Sequence, residues 1–177
     1  HPHITDKVAL VHNGIIENFR ELRAELEADG VTFTSDTDTE IVAHLITQAM
    51  KAGASAIDAA SQTLSRLEGA FALCILFRGE EDLMIGARKG SPLAIGYGNG
   101  EMYLGSDAFA LAPMTNRVAF LEEGDWAVVK RGGVTVYDTD GKKVERPVKI
   151  TDASAALVGK GNHRHFMAKE IFEQPEV

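Results

Sequence analysis

Ala70 to Phe77 reads AFALCILF, apolar at every position. A run of that length is long for a strand with one wet face and predicts a central strand buried on both faces. It also divides the chain. Ahead of it, apolar residues recur at helical spacing. Phe19, Leu22 and Leu26 share one face of a first helix, with Asn18 as its cap, Glu21 as capping-box partner and Gly30 as its end. Ile41, Val42, Leu45, Ile46, Ala49 and Met50 form the broad stripe of a second helix, which starts around Asp36–Thr39 and stops at Gly53. A third fits Ser55 to Leu67, closed by Gly69. Before all three, Lys7 to His12 (KVALVH) has strand character, and the Asn13-Gly14 that follows predicts a turn.

Behind the run, short apolar stretches alternate with glycines. Leu83 to Ala87, Leu93 to Tyr97, Met102 to Leu104, Val118 to Leu121, Trp126 to Lys130 and Val134 to Tyr137 read as strands in hairpins, hence antiparallel. A short helix fits Asp107 to Leu111, capped by Ser106. Helices that lead and a meander that follows predict an α+β layered domain rather than an alternating parallel-sheet fold. Residues 1–148 form this domain. From residue 149 the pattern weakens into a linker over 149–177, inside which His163 to Gln174 (HRHFMAKEIFEQ) fits a helix ended by Pro175. The chain opens His1-Pro2-His3 and enters a strand at once, which reads as the inside of a longer protein.

Composition narrows the function. The 177 residues are 45% hydrophobic and 25% charged, an ordinary globular balance. Eighteen Lys and Arg against 26 Asp and Glu leave a net charge of −8, which opposes nonspecific binding to nucleic acid or to anionic membranes. No run approaches the roughly 18–20 apolar residues of a membrane span, and no signal peptide is evident. A single cysteine excludes a disulfide scaffold, so a reducing, cytoplasmic setting is expected.

Few residues offer chemistry. Cys74 sits mid-strand between Leu73 and Ile75 and reads as a small buried hydrophobe rather than a nucleophile. Asp36, Asp38 and Glu40 (DTDTE) suit a helix N-terminus, where carboxylates complement the dipole. A calcium loop wants glycine at its sixth position, and Ile41 stands there. One of these carboxylates could instead meet a ligand ammonium. Asn13-Gly14 is a plain turn or, alternatively, an oxyanion hole in which an amide side chain and a backbone N–H converge on one oxygen. The pairs His1/His3 and His163/His165 lack a third ligand, so no metal is expected, and His12 and His44 stand alone. Gly90-Ser91-Pro92 lacks the phosphate-loop lysine, and no dinucleotide fingerprint or basic-aromatic stripe occurs.

Several segments in order carry a resemblance: VHNGIIENFRELRAEL (Val11 to Leu26), TSDTDTEIVAHL (Thr34 to Leu45), LEGAFAL (Leu67 to Leu73), GSPLAIG (Gly90 to Gly96), GSDAFAL (Gly105 to Leu111), FLEEGD (Phe120 to Asp125) and HFMAKEIFEQP (His165 to Pro175). They resemble the glutaminase domain of the glutamine–fructose-6-phosphate aminotransferase family. HNG and SDTDTE alone would mark only the wider class II glutamine amidotransferases. HFMAKEIFEQP is more specific, resembling the stretch that leads into the sugar-isomerase domain.

The resemblance implies an N-terminal-nucleophile fold, with antiparallel sheets layered between helices. It implies an N-terminal cysteine that attacks the glutamine side-chain amide, releasing ammonia for fructose 6-phosphate, without a cofactor. Carried over by position, Asn13 and Gly14 match the oxyanion pair, and Asp38 matches the carboxylate that holds the α-ammonium of glutamine. The nucleophile is absent from this chain, as is the segment that grips the glutamine α-carboxylate. The chain as given is therefore expected to be inactive, to lack strands of the parent sheets, and to self-associate through the edges left uncovered. The alternatives are a non-catalytic module of the same fold and a class II amidotransferase with another acceptor.

Overall fold

A computed structural model describes residues 2–151. The long apolar run becomes β3 (Gly69–Phe77), the spine of a seven-stranded antiparallel sheet. It is flanked on one side by β2 (Val8–Ile16) and β1 (His3–Ile4), and on the other by β4 (Met84–Lys89), β8 (Trp126–Lys130), β9 (Gly133–Tyr137) and β10 (Lys143–Val144). A second sheet runs β11 (Lys149–Ile150), β7 (Arg117–Phe120), β5 (Ala94–Tyr97), β6 (Met102–Gly105).

Helices α1 (Phe19–Ala28), α2 (Asp38–Lys51) and α3 (Ala56–Leu64) cover one face of the larger sheet. Leu22, Leu26, Ile41, Val42, Leu45 and Ile46 meet Val8, Leu10, Phe71, Leu73 and Ile75 there in the main core. The smaller sheet packs on the opposite face, where Leu93, Ile95 and Leu121 meet Ala127, Val129 and Val136. Its outer side carries α4 (Ala108–Leu111), packed through Leu111 on Ala94 and Val118. The order is helices, sheet, sheet, helix, as the α+β reading expects. Among the described residues no helix is long and apolar enough to cross a membrane.

Four local readings are corrected. First, Asn13-Gly14 is not a turn: β2 runs straight through it to Ile16, with Asn13 opposite Ala72 and Gly14 opposite Phe71. Pairing along all of β3 outweighs the local preference of the dipeptide. Gly14 still requires its identity, with φ at +126° and any Cβ only 2.1 Å from the Ala70 carbonyl oxygen. Second, β3 is not buried on both faces. Phe71, Leu73, Ile75 and Phe77 are buried under the helices, but Leu76 is exposed, because the smaller sheet stops short of it. Third, Asn18 stands at the start of α1 but makes no side-chain cap. Its amide donates to Arg66 O (2.8 Å) and accepts from Glu68 N (3.1 Å), tying α1 to the entry of β3. Fourth, Asp107 rather than Ser106 caps α4, accepting from Ala110 N. Ser55 caps α3 by accepting from Asp58 N.

Residues 138–151 strap the two sheets together. β10 pairs with β9 at the rim of one sheet and β11 with β7 at the rim of the other, so the expected linker begins as a strand. Between them Arg146 donates twice to the buried Asp125, at 2.7 and 3.0 Å. The helix expected at His163 to Gln174 lies outside the described residues.

Candidate functional site

The far end of β2 carries Asn13 and Gly14, and its last residue is hydrogen-bonded to Asp38. Asn13 points away from the helices. Its side chain makes no hydrogen bond among the described residues and lines a cleft of about 320 Å³ with Val11, Ala72, Cys74, Pro92 and Ser106. Gly14 follows it, pressed against the β3 backbone. Asp38 is the first residue of α2, a position where a carboxylate suits the dipole. Its Oδ2 accepts from Ile16 N at 2.8 Å, which fastens the helix start to the last residue of β2. The carboxylate does not line the cleft; it stands at the strand's end, with 23% of its side chain open to solvent.

The other two acids of DTDTE behave differently. Glu40 is buried and turned back onto the preceding loop, accepting from the backbone and hydroxyl groups of Thr34 and Ser35. Burial alone would raise its pKa, but those hydrogen bonds win and hold it at about 2. Asp36 is fully exposed, 3.8 Å from an Arg23 guanidinium that lies over the Phe33 ring. Glu40 therefore shapes the helix start as expected, and Asp36 touches it only loosely.

His12 was passed over as a lone histidine, and the structure places it beside Asp38. Its Nδ1 lies 3.0 Å from Thr39 Oγ1 and 3.8 Å from Asp38 Oδ1. Its Nε2 is buried without a hydrogen-bond partner. Burial lowers its pKa, opposed by Asp38 and assisted by His3. The only available signal was adjacency, a histidine directly ahead of Asn-Gly. Cys74 is half-buried on the cleft side of β3 rather than enclosed. Burial pushes its thiol up to about 11, so it stays protonated and is a poor nucleophile.

A larger cleft, about 450 Å³, opens at the end of α3 among Arg88, Glu123, Asp125, Trp126 and Asp138. None of Asn13, Gly14 and Asp38 lines it, although Glu123, Gly124 and Asp125 of the FLEEGD segment do. Its carboxylates are engaged by backbone N–H groups and guanidinium groups, while Arg88 Nε is buried with no hydrogen-bond partner among the described residues. Glu123 accepts from Gly90 N and Arg88, Asp125 from Glu122 N and Arg146, and Asp138 from Asp140 N and Lys142 N. This is a loop framework, and size alone does not make it the reactive site.

Comparison with known proteins speaks to the family and the fold of the domain. Residues 2–113 match the family described as glutamine amidotransferase domain. Glutamine–fructose-6-phosphate aminotransferases (isomerizing) from Brucella abortus and Mesorhizobium japonicum are each 61% identical over 177 residues, covering 100% of this chain and 29% of the relative. Among solved structures, glutamine phosphoribosylpyrophosphate amidotransferase from B. subtilis, in complex with ADP and GMP, superposes with a TM-score of 0.65 at 28% identity. The overlap is 81% of this chain and 31% of that one. A structure described as the allosteric regulatory enzyme of purine biosynthesis gives 0.64 at 28% identity, over 76% of this chain and 29% of that one. The layered architecture is thus that of the N-terminal-nucleophile amidotransferases.

Proposed function

The chain belongs to the glutamine amidotransferase domain family, and from that premise we propose that residues 1–148 are the glutaminase part of an enzyme that passes ammonia from glutamine to fructose 6-phosphate. The chain spans about 29% of the length of its curated relatives, so the acceptor reaction belongs to sequence beyond it. Residues 149–177 are read as the connection toward that sugar-isomerase part.

The observation that carries the proposal is the Asn13 amide at the end of β2, which lines a cleft with no hydrogen-bond partner among the described residues. In this reading the Asn13 amide and the Gly14 N–H stabilise the oxyanion that forms when a thiolate attacks the glutamine amide. Asp38 accepts the substrate's α-ammonium on its open side while Ile16 N–H holds it from behind. The attacking thiolate comes from outside this chain, because Cys74 is held protonated. As given, the chain is then silent. Glutamate release from glutamine tests this, measured on residues 1–177 and on a version extended with the residues its gene encodes ahead of His1. A silent chain and an active extension support the proposal. An active chain overturns the missing-nucleophile reading, and silence in both favours a non-catalytic module of the same fold.

The face of β1, β2 and β3 turned away from the helices adds a physical consequence. Ile4, Val11, Ile15 and Leu76 are exposed on it at 66, 42, 64 and 51%. Two copies of the isolated chain pair through this face in the proposed reading.

A further inference from the structure

His12 is 2% exposed in its side chain, yet the mechanism above gives it nothing to do. Thr39 Oγ1 lies 3.0 Å from His12 Nδ1 and 3.4 Å from Asp38 Oδ1 and has one proton for the two. Given to the ring, it makes the Nε2–H form; given to the carboxylate, it leaves the ring to donate as the neutral Nδ1–H form. The partnerless Nε2 favours the second, since a bare lone pair is easier to bury there than an unsatisfied N–H.

We propose that His12 is a positioning residue for Asp38: its Nδ1–H donates to Thr39, Thr39 donates to Asp38 Oδ1, and the carboxylate is thereby held from behind with its open side kept for a ligand ammonium. This rests on the reading of Asp38 as the glutamine contact. It carries a consequence for acid. A protonated His12 would place a cation 3.8 Å from Asp38 Oδ1, competing with the ligand ammonium for the same charge. The charged or titratable groups facing the ring are Asp38 from α2 and His3 from β1; the β3 residue opposite is Leu73. Burial dominates these, so the competition sets in only below the ordinary imidazole value of 6.5.

Two measurements test the relay. On residues 1–177, nitrogen-15 spectra of the His12 ring at neutral pH should show Nδ1 protonated and Nε2 bare, with a titration midpoint below 6.5. An Nε2–H form overturns the relay and leaves the glutamine reading standing. On the extended, catalytically complete protein, Thr39→Val should raise KM for glutamine roughly tenfold with kcat nearly kept, and Thr39→Ser should restore most of it. In the wild type, KM should climb as pH falls through the His12 midpoint. An unchanged KM in Thr39→Val overturns the proposal. An unchanged KM in Asp38→Ala overturns the glutamine reading instead, a failure the ring spectrum separates from that of the relay.

Discussion

The two clefts differ in what their polar groups leave undone. The larger one is rich in charge, but each carboxylate discussed there already serves a backbone N–H, a guanidinium or both. The end of β2 is poorer in charge. There the Asn13 amide has no partner among the described residues, and each Asp38 oxygen accepts a single hydrogen bond, from Ile16 N and from Thr39 Oγ1; a buried nitrogen without a partner among the described residues occurs in both places, His12 Nε2 here and Arg88 Nε in the larger cleft. Groups that are fully hydrogen-bonded stabilise a fold, whereas groups held in place with capacity to spare can bind something. The same contrast appears within one helical turn, where Glu40 is saturated and Asp38 is open.

Substitution can break that contrast. The largest effect should come from Asp125→Ala, which takes both Asp125 hydrogen bonds from the Arg146 guanidinium at the strap between the sheets and leaves it only Glu122. Urea unfolding should show a loss of about 3 kcal/mol, with KM for glutamine unchanged in the extended protein. Asp38→Ala should do the reverse. A lost charge-assisted contact of about 2–3 kcal/mol raises KM by roughly 30- to 150-fold, while stability falls far less. Steady-state kinetics and the same urea titration decide it.

Glu40 sharpens the comparison through pH. Its carboxyl is held at about 2 against an ordinary 4.5, so its contribution is complete above 4.5 and disappears as pH falls toward 2. Glu40→Gln should therefore cost roughly 2–3 kcal/mol at neutral pH, and the gap from wild type should close on acidification between those values. A gap independent of pH would show that the hydrogen bonds do not favour the ionised form. The smallest effect should be that of Leu76→Lys on the bare face of β3. It should shift the isolated chain toward monomer in sedimentation, with stability changed by less than about 0.5 kcal/mol.

The helical half was largely legible in the sequence because its periodicity is local. The stripe from Ile41 to Met50 and the helix that begins near Ser55 depend on neighbours within a turn or two. Three of the four failures share a cause, a partner distant in sequence. Asn13-Gly14 has the chemistry of a turn, and only the β3 backbone laid along it keeps it extended. Asn18 has the chemistry of a cap, but its amide is taken by residues 66 and 68. The apolar side of β3 is left partly bare because the smaller sheet ends at β6, which no pattern inside β3 announces. Asn13, Gly14 and Asp38 came from resemblance, since residue chemistry alone favoured a turn and a cap. His12 was visible to neither route, because its meaning lies in a threonine on another element.

The most direct measurement is glutamate release by the extended protein carrying Asn13→Ala, set beside its unfolding curve. The side chain supports nothing in the fold among the described residues, so stability should stay within about 0.5 kcal/mol of wild type. With one oxyanion donor removed, kcat should fall roughly 10²- to 10³-fold. A kcat within a few-fold of wild type, or a loss explained by unfolding, would contradict the assignment of the β2 end as the reactive site.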